Sequence, residues 1–513
     1  MQTAAEILSQ PFGTLPDLIA AHARERGDKP AIIQGDASLT YAQLDSRMNA
    51  IAAALQRDGL QPGQAVAIVG AMSLDYAALF LGAIRAGGAP APVAPSSTGD
   101  QMAAMIADSG TGLVFLDADA AATLGDRPVS AQRVALDSSD VGIAFNAWLG
   151  NATTPAPATI APEDPFNIIY SSGTTGTPKG IVQPHAMRWA HIVHNAAAGF
   201  GDAVTMIATP LYSNTTLVSF IPTLGWGGTA VLLGKFDARG FLEAAAKHRG
   251  THAMLVPVQY QRIMAVEDFD RFDLASFRIK TCTSAPFSPA LKADVLARWP
   301  GMLIEYYGMT EGGGTCVLMC NMFPNKLHTV GMPVPGHDIR LIDDEGREVP
   351  QGEMGEVVGR SPAMMSGYHG RKQASADAEW FDAEGNRYIR HGDVGRFDAE
   401  GFLTLMDRKK DLIISGGFNI YPSDLEAELA RHPAVRDCAV VGVPSEQWGE
   451  TPVGFYVPAD ATPAAEVLAS INTVLGKTQR LAALLPIDEL PRSAIGKVLK
   501  RELRDRYLEA LPA

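Results

Sequence analysis

Only four cysteines, Cys282, Cys316, Cys320 and Cys438, occur in 513 residues. They are too few and too scattered for a disulfide framework, and a reducing, cytoplasmic setting is the simplest reading. Cys316 and Cys320 form a CxxxC with no second Cys/His pair at ligand spacing. Two partly buried thiols in a strand or loop are therefore expected there, not a metal site. Long apolar runs are missing as well: the richest stretch, DYAALFLGAI, stops at Arg85, well short of the ~20 residues that span a bilayer. The opening MQTAAEILSQ has no basic region followed by an apolar run, which predicts no signal peptide. Internal repeats and coiled-coil heptads are absent too. Positive charge is short: 42 Lys plus Arg against 56 Asp plus Glu leave a formal net charge of −14. A field of that sign repels polyanions, which argues against nucleic acid as the main partner. Any phosphate-bearing ligand then needs a local site.

What is present points to a large globular α/β protein. Of the residues, 47% are apolar and 19% charged, which excludes fibrous and wholly disordered chains. At roughly 150 residues per domain the length predicts about two to four compact units. Short apolar runs alternate with helical patterns, as in AVAIVG (65–70) before LDYAALFLGAIRAGG, and GLVFLD (112–117) after QMAAMIADSG. The runs TAVLLG (229–234), THAMLV (251–256), RIKTCTS (278–284) and LIEYYG (303–308) continue the alternation, with helix-like LKADVLARW between the last two. Parallel or mixed sheets flanked by helices are the natural host. The Pro-, Ala- and Thr-rich GNATTPAPATIAPEDP (150–165) reads as a linker or surface crossing before a buried strand, FNIIY. A second break lies in DRKKDLIISGG (407–417). After it, SDLEAELARH is expected to open a helix through a capping box, Ser423 to Glu426, ahead of the strand-like CAVVGVP and VGFYVP. A large domain over 1–407 and a small α+β domain over 408–513 follow.

Tyr170-Ser-Ser-Gly-Thr-Thr-Gly-Thr-Pro-Lys-Gly180 packs three glycines, five serine or threonine hydroxyls and a lysine behind that buried strand. Glycines let backbone N–H groups curl around an anion, hydroxyls add donors, and Lys179 adds charge. It is a phosphate cradle without the spacing of a Walker A loop, since Pro178 precedes Lys179. The Lys–Pro spacing resembles the AMP-binding signature of the adenylate-forming superfamily, whose members include acyl- and aryl-CoA ligases, adenylation domains of peptide synthetases and luciferases. Three further segments match in order: Glu305-Tyr-Tyr-Gly-Met-Thr-Glu311, Tyr388-Ile-Arg-His-Gly-Asp393 and Pro491-Arg-Ser-Ala-Ile-Gly-Lys497. The resemblance covers about residues 10–510.

That resemblance implies the following site. Ser171, Ser172, Gly173, Thr174, Thr175, Gly176, Thr177 and Lys179 cradle the phosphates of ATP. Ser284, Ala285 and Pro286 form the loop between adenine and acid, while Glu305, Tyr306, Tyr307, Gly308 and Met309 line the adenine side. Thr310 meets the α-phosphate, and Glu311 holds Mg²⁺, a hard cation suited to a carboxylate and phosphate oxygens. Asp393 takes the ribose hydroxyls, with Arg408 beside ribose and phosphate. Lys497 bears charge as the carboxylate displaces pyrophosphate, the electrostatic role that dominates such chemistry. Lys410 is the hinge of a mobile C-terminal domain, and Gly416, Gly417 and Phe418 approach coenzyme A.

By the same resemblance the acid sits among Tyr212, Ser213, Asn214, Tyr306, Gly312, Gly313 and Gly314. Ser213 stands where many relatives have histidine, and Tyr306 where many have glycine. A tyrosine there shortens the pocket floor, and three glycines remove bulk from another wall. The implied acid is aromatic, of cinnamate or benzoate type, or a short to medium aliphatic; the lack of a cation in these segments weighs against a dicarboxylate. The implied reaction is acid plus ATP to acyl-AMP and pyrophosphate, then acyl-AMP plus CoA to acyl-CoA and AMP. A stand-alone enzyme loading a carrier protein and a silent nucleotide-binding relative are the alternatives. No carrier domain is expected after Lys497, and a homodimer is left open.

Overall fold

The fold is given by a computed structural model, which describes residues 1–151, 154–171, 179–408, 411–415, 418–476, 479–493 and 496–510, with 171, 407, 408, 418 and 419 described by backbone alone. Two compact units divide the chain. The first comprises 1–327, 333–338 and 359–389, and the second 328–332, 339–358 and 390–513.

In the first unit the alternating apolar runs separate into two sheets. Pro30–Gln34, Thr229–Leu232, Val204–Ile207, His252–Leu255, Ile279–Cys282 and Met302–Tyr307 lie side by side and parallel, with Cys316–Met319 antiparallel to the last. Ala89–Val93, Ala65–Val69, Leu113–Leu116, Gln132–Ala135 and Ile143–Ala144 form an all-parallel second sheet. Strands buried on both faces read as continuous apolar runs, which is why AVAIVG shows no alternation. Helix Leu74–Arg85 is capped by Ser73, whose side chain accepts from Tyr76 N, and is buried from Tyr76 to Ile84. Gly82 permits its packing on helix Tyr41–Arg57, because a Cβ there would meet Ile51 at 2.6 Å. A third, antiparallel sheet joins Pro165–Ser171, Lys179–Pro184 and Gly367–Tyr368.

In the second unit, strand Gly449–Pro458 runs antiparallel to Val435–Ser445 and parallel to Ala483–Pro486. Val440 and Tyr456 face one apolar cluster with Leu425, Leu429, Val467 and Ile471. Ala439, Val441, Phe455 and Val457 face the other with Leu490 and Leu503. The period-two alternation thus seats helices Pro422–Ala430 and Ala464–Val474 on one face and Lys500–Glu509 on the other. The expected capping box is not formed. Pro422 occupies the first helical position after Tyr421, and no side chain caps the start. Glu426 is drawn elsewhere: its Oε1 accepts from Val440 N at 2.8 Å and pairs with Lys500 Nζ at 2.9 Å. Proline's preset φ makes a side-chain cap dispensable there. Among the described residues no helix is long and apolar enough to cross a membrane.

Candidate active site

Strands Pro165–Ser171 and Lys179–Pro184 form a hairpin in which Ser171 stands opposite Lys179. The glycine-rich segment is the connection between them. Ser172, Gly173, Thr174, Thr175, Gly176 and Thr177 lie outside the described residues. Lys179 leaves the hairpin with its Nζ 5.1 Å from the ring centroid of Tyr368. Tyr368 arrives on the neighbouring strand, opposite Ile181, and its hydroxyl donates to Glu311 Oε1 at 2.9 Å. Burial first, and then the Glu311 carboxylate, raise the phenol pKa far above its ordinary value, so the hydroxyl stays a donor. Lys179 and Glu311 were both expected at the site. Tyr368, which joins them, was not, since it lies 57 residues from Glu311 with no spacing to betray it.

Glu311 follows strand Met302–Tyr307, whose place beside Ile279–Cys282 brings the 305–311 segment next to the 283–286 loop. Along the strand, Tyr306 is half-buried while Glu305 and Tyr307 are buried. Glu305 spends its carboxylate inside the protein, paired with buried Lys292. Burial pushes its carboxyl up to about 7 despite that lysine. Gly308, Met309 and Thr310 continue the chain, and the Thr310 carbonyl accepts from Gln183 Nε2 at 2.7 Å. The same amide donates to Asn214 Oδ1 at 3.2 Å. One buried glutamine thus fixes the 305–311 segment against the expected acyl pocket.

Ser284 has φ +83°, a left-handed conformation rare for serine. Its hydroxyl meets that of Thr215 at 2.6 Å, which ties this loop to helix Asn214–Gly225. Such strain persists where surroundings over-determine the backbone, commonly at functional sites. Ala285 is half-buried and Pro286 exposed. Ser213 is the N-cap of helix Asn214–Gly225, accepting from Thr215 N at 3.3 Å; the hydroxyl serves the helix end, a task for which serine is suited. Tyr212 is half-buried and burial raises its pKa. Gly312, Gly313 and Gly314 all have positive φ. At Gly312 a Cβ would collide with the Ala363 carbonyl, and at Gly313 it would meet Ile389 Cβ at 2.7 Å. Close backbone packing therefore accounts for these two glycines, where the sequence suggested pocket room.

The helix after the hairpin adds residues that the sequence reading passed over. In His185–Val193, Arg188 is 1% exposed and donates to Asn167 Oδ1 at 3.1 Å and to Gln183 Oε1. The sequence reading found no cation within the acyl segments; Arg188 lies outside them and connects to Asn214 through Gln183. A signal was available. His185, Arg188 and His191 recur every third residue, and i,i+3 neighbours adjoin on a helix surface.

The remaining expected residues belong to the second unit. Asp393 stands directly opposite Arg408 in the antiparallel pair Arg387–Phe397 and Leu403–Arg408, so the two residues assigned to ribose are cross-strand neighbours. Lys497 lies in a tight turn: its N–H donates to Ser493 Oγ at 3.2 Å, its carbonyl accepts from Ser493 N at 2.8 Å, and Gly496 takes φ +75°. Arg492 braces this turn by bonding Gly496 O at 2.9 Å and Asp437 Oδ2 at 2.7 Å. Lys410, Gly416 and Gly417 lie outside the described residues. Phe418 begins strand Phe418–Ile420.

The AMP-binding enzyme family model matches residues 19–369, and the AMP-binding enzyme C-terminal domain model matches 424–497. The chain belongs to the AMP-binding enzyme family. Among its relatives, a feruloyl-CoA synthase from an Amycolatopsis species is 32% identical, with 97% of this chain and 99% of the relative covered. A fatty acid–[acyl-carrier-protein] ligase, ScoC from Streptomyces coeruleorubidus, is 31% identical with 96% of each covered. The ATP-bound structure of MatB from Rhodopseudomonas palustris superposes with a TM-score of 0.84 at 28% identity, covering 96% of this chain and 99% of that one. The α/β fold and the adenylate-forming class read from the sequence are those of this family.

Proposed function

We propose that this AMP-binding enzyme activates an aromatic carboxylic acid of cinnamate or benzoate type, or a short to medium aliphatic acid, for transfer to coenzyme A. The chain is an AMP-forming acid–thiol ligase: acid and ATP give acyl-AMP and pyrophosphate, and the acyl group then passes to the thiol of CoA. The observation that carries this reading is the Lys179–Tyr368–Glu311 group at the mouth of the glycine-rich hairpin, which sets a cation and a carboxylate on either side of one phenol. Glu311 Oε1 takes the phenol's hydrogen bond and leaves Oε2 with no protein partner among the described residues. One carboxylate with a free oxygen suits Mg²⁺, which keeps several waters and takes further ligands from phosphates. When bound, the ion would offset charge on the nucleotide's phosphates.

The protein itself does no covalent chemistry. Lys179 and the hairpin hold phosphate, Thr310 adds a hydroxyl at the α-phosphate, and Asp393 with Arg408 takes the ribose. Lys497 offsets the charge that builds as the acid's carboxylate attacks. A small domain following residue 407, turning about Lys410, then withdraws Lys497 and brings Gly416, Gly417 and Phe418 to the CoA side. Two arrangements of one domain give one site two sets of groups. Division into compact units is a separate matter from this rotation. A cytoplasmic location fits the four free cysteines. The relative that loads an acyl carrier protein supports a second reading, in which a carrier's thiol replaces CoA. A panel of carboxylic acids assayed for AMP release with CoA, and with a phosphopantetheinylated carrier protein, tests both. Release with CoA supports the first, release with the carrier alone the second, and absence of ATP–pyrophosphate exchange with every acid overturns both.

A further inference from the structure

Beneath the hairpin, a single carboxylate joins the two flanks of its sheet. In that three-stranded sheet Lys179–Pro184 is the middle strand, with Pro165–Ser171 on one side and Gly367–Tyr368 on the other. Tyr170 stands opposite Gly180 on the first flank, and its hydroxyl donates to Asp108 Oδ2 at 3.1 Å. Arg371, just past Tyr368 on the second flank, donates from Nη2 to Asp108 Oδ1 at 3.0 Å. Asp108 thus takes one bond from each side of the strand that begins at Lys179, on separate oxygens. Burial first, and then the Asp108 carboxylate, raise the Tyr170 phenol far above its ordinary value, so its hydroxyl stays a donor.

The middle strand is shaped for this bridge. A Cβ at Gly180 would meet Tyr170 Cε1 at 3.1 Å and His369 Cβ at 3.3 Å, so the strand carries no side chain where its two neighbours close over it. His369 N also donates to the Gly180 carbonyl at 2.7 Å. Arg371 is tied back to Tyr368: its N–H donates to the Tyr368 carbonyl at 3.1 Å, while Ser375 Oγ donates to Arg371 O at 3.0 Å and accepts from Tyr368 N at 2.8 Å. Moving Arg371 therefore moves the residue whose ring lies under Lys179 and whose hydroxyl holds Glu311. Asp108 itself lies in the last turn of helix Gly99–Ser109. A carboxylate there faces the negative end of the helix dipole, so the helix is not what it serves.

We infer that Asp108 is a positioning residue for ATP: through Tyr170 and Arg371 it fixes Lys179 and the Tyr368–Glu311 pair relative to one another, and so sets the affinity for the polyphosphate end of the nucleotide. It acts through those residues and not by contact with the nucleotide. This rests on the reading of Lys179 as a phosphate-holding residue and extends it to a helix outside the glycine-rich motif. The single phosphate of AMP is assigned to Thr310, and its ribose to Asp393 and Arg408. AMP should therefore be insensitive to Asp108 where ATP is not.

The test measures calorimetric affinities of the full chain for ATP with Mg²⁺ and for AMP, with urea-unfolding midpoints alongside. Asp108→Asn keeps the shape and removes the charge, Tyr170→Phe keeps the ring over Gly180 and removes one bond, and Arg371→Leu removes the other. Each should weaken ATP binding about tenfold and leave AMP within about twofold of wild type. Asp108→Asn combined with Tyr170→Phe should lose less than the product of the single losses, because both act on one bond. ATP affinity equal to wild type in all three variants overturns the positioning role. So does an equal loss for ATP and AMP, which is the mark of a residue that serves the fold alone. Lys179→Ala is the reference: ATP affinity unchanged in that variant overturns the phosphate reading itself, a result distinct from a loss at Lys179 with none at Asp108.

Discussion

The Tyr368 hydroxyl donates to Glu311 Oε1 at 2.9 Å while the same ring lies beneath the Lys179 ammonium. The phenol orients the one carboxylate proposed to meet Mg²⁺, and a second-layer donor of this sort is commonly worth about 10–100-fold in metal affinity. Tyr368→Phe keeps the ring under Lys179 and removes only the hydrogen bond. It should raise the Mg²⁺ concentration needed for ATP binding by about tenfold, read by calorimetry at fixed ATP, with a stability change of only about 1 kcal/mol in urea unfolding. An unchanged Mg²⁺ requirement would show that the bond serves the fold alone.

A different carboxylate in the same strand segment is expected to reveal itself through stability. Glu305 and Lys292 are 4% and 1% exposed and paired with each other, with Lys292 Nζ also donating to Leu327 O at 2.7 Å. Removing one partner strands the other, so Lys292→Met should cost about 3–5 kcal/mol, and Lys292→Met with Glu305→Leu should recover most of it. Burial raises the Glu305 carboxyl from 4.5 to about 7, so between those values the folded protein holds a proton that the unfolded chain releases. The group's contribution is complete below pH 4.5 and is lost as pH rises through 7. Glu305→Gln does not titrate. From pH 5 to pH 8 the wild type should therefore lose more stability than this variant, measured by urea unfolding at both pH values. Parallel losses would contradict the assignment.

Tyr306 is half-buried on strand Met302–Tyr307, and burial raises its phenol pKa. If its ring floors the acyl pocket, Tyr306→Gly lengthens that pocket by an aromatic side chain. Longer unbranched acids should then gain about a hundredfold in kcat/KM relative to short ones, about three methylenes at roughly 1 kcal/mol each. A chain-length profile identical to wild type would remove Tyr306 from the floor.

The segments with strong local chemistry were legible before the fold was known: the glycine-rich hairpin connection, the YYGMTE turn and the PRSAIGK turn each carry their residue types in sequence. The sheet partition was not. AVAIVG and TAVLLG look alike as apolar runs, yet they lie in different sheets, because run composition reports burial and not the partner strand. Nor could the sequence show that Gln183 bonds both Thr310 and Asn214, or that Tyr368 reaches Glu311, since such contacts exist only once distant strands are side by side. The capping box at Ser423 failed for a local reason, the proline at the first helical position. Of everything overlooked, the His185–Arg188–His191 spacing was the most readable, since i,i+3 residues adjoin on a helix.

Lys497 offers the sharpest separation of the two half-reactions. Its turn is closed by Ser493 and braced by Arg492 on Asp437, none of which depends on the lysine side chain. Lys497→Ala leaves those turn bonds in place, and its unfolding midpoint is measured beside the wild type so that a loss of stability is not read as a loss of catalysis. Removing a cation that offsets charge only in the transition state costs about 10²–10³ in rate, so acyl-AMP formation, followed as pyrophosphate release, should fall by that factor. Thioester formation from supplied acyl-AMP and CoA should stay within about threefold of wild type, since the proposed domain rotation would withdraw this residue before the second step. Loss of both half-reactions to the same degree would place Lys497 in a single arrangement serving both and would remove the need for a hinge at Lys410.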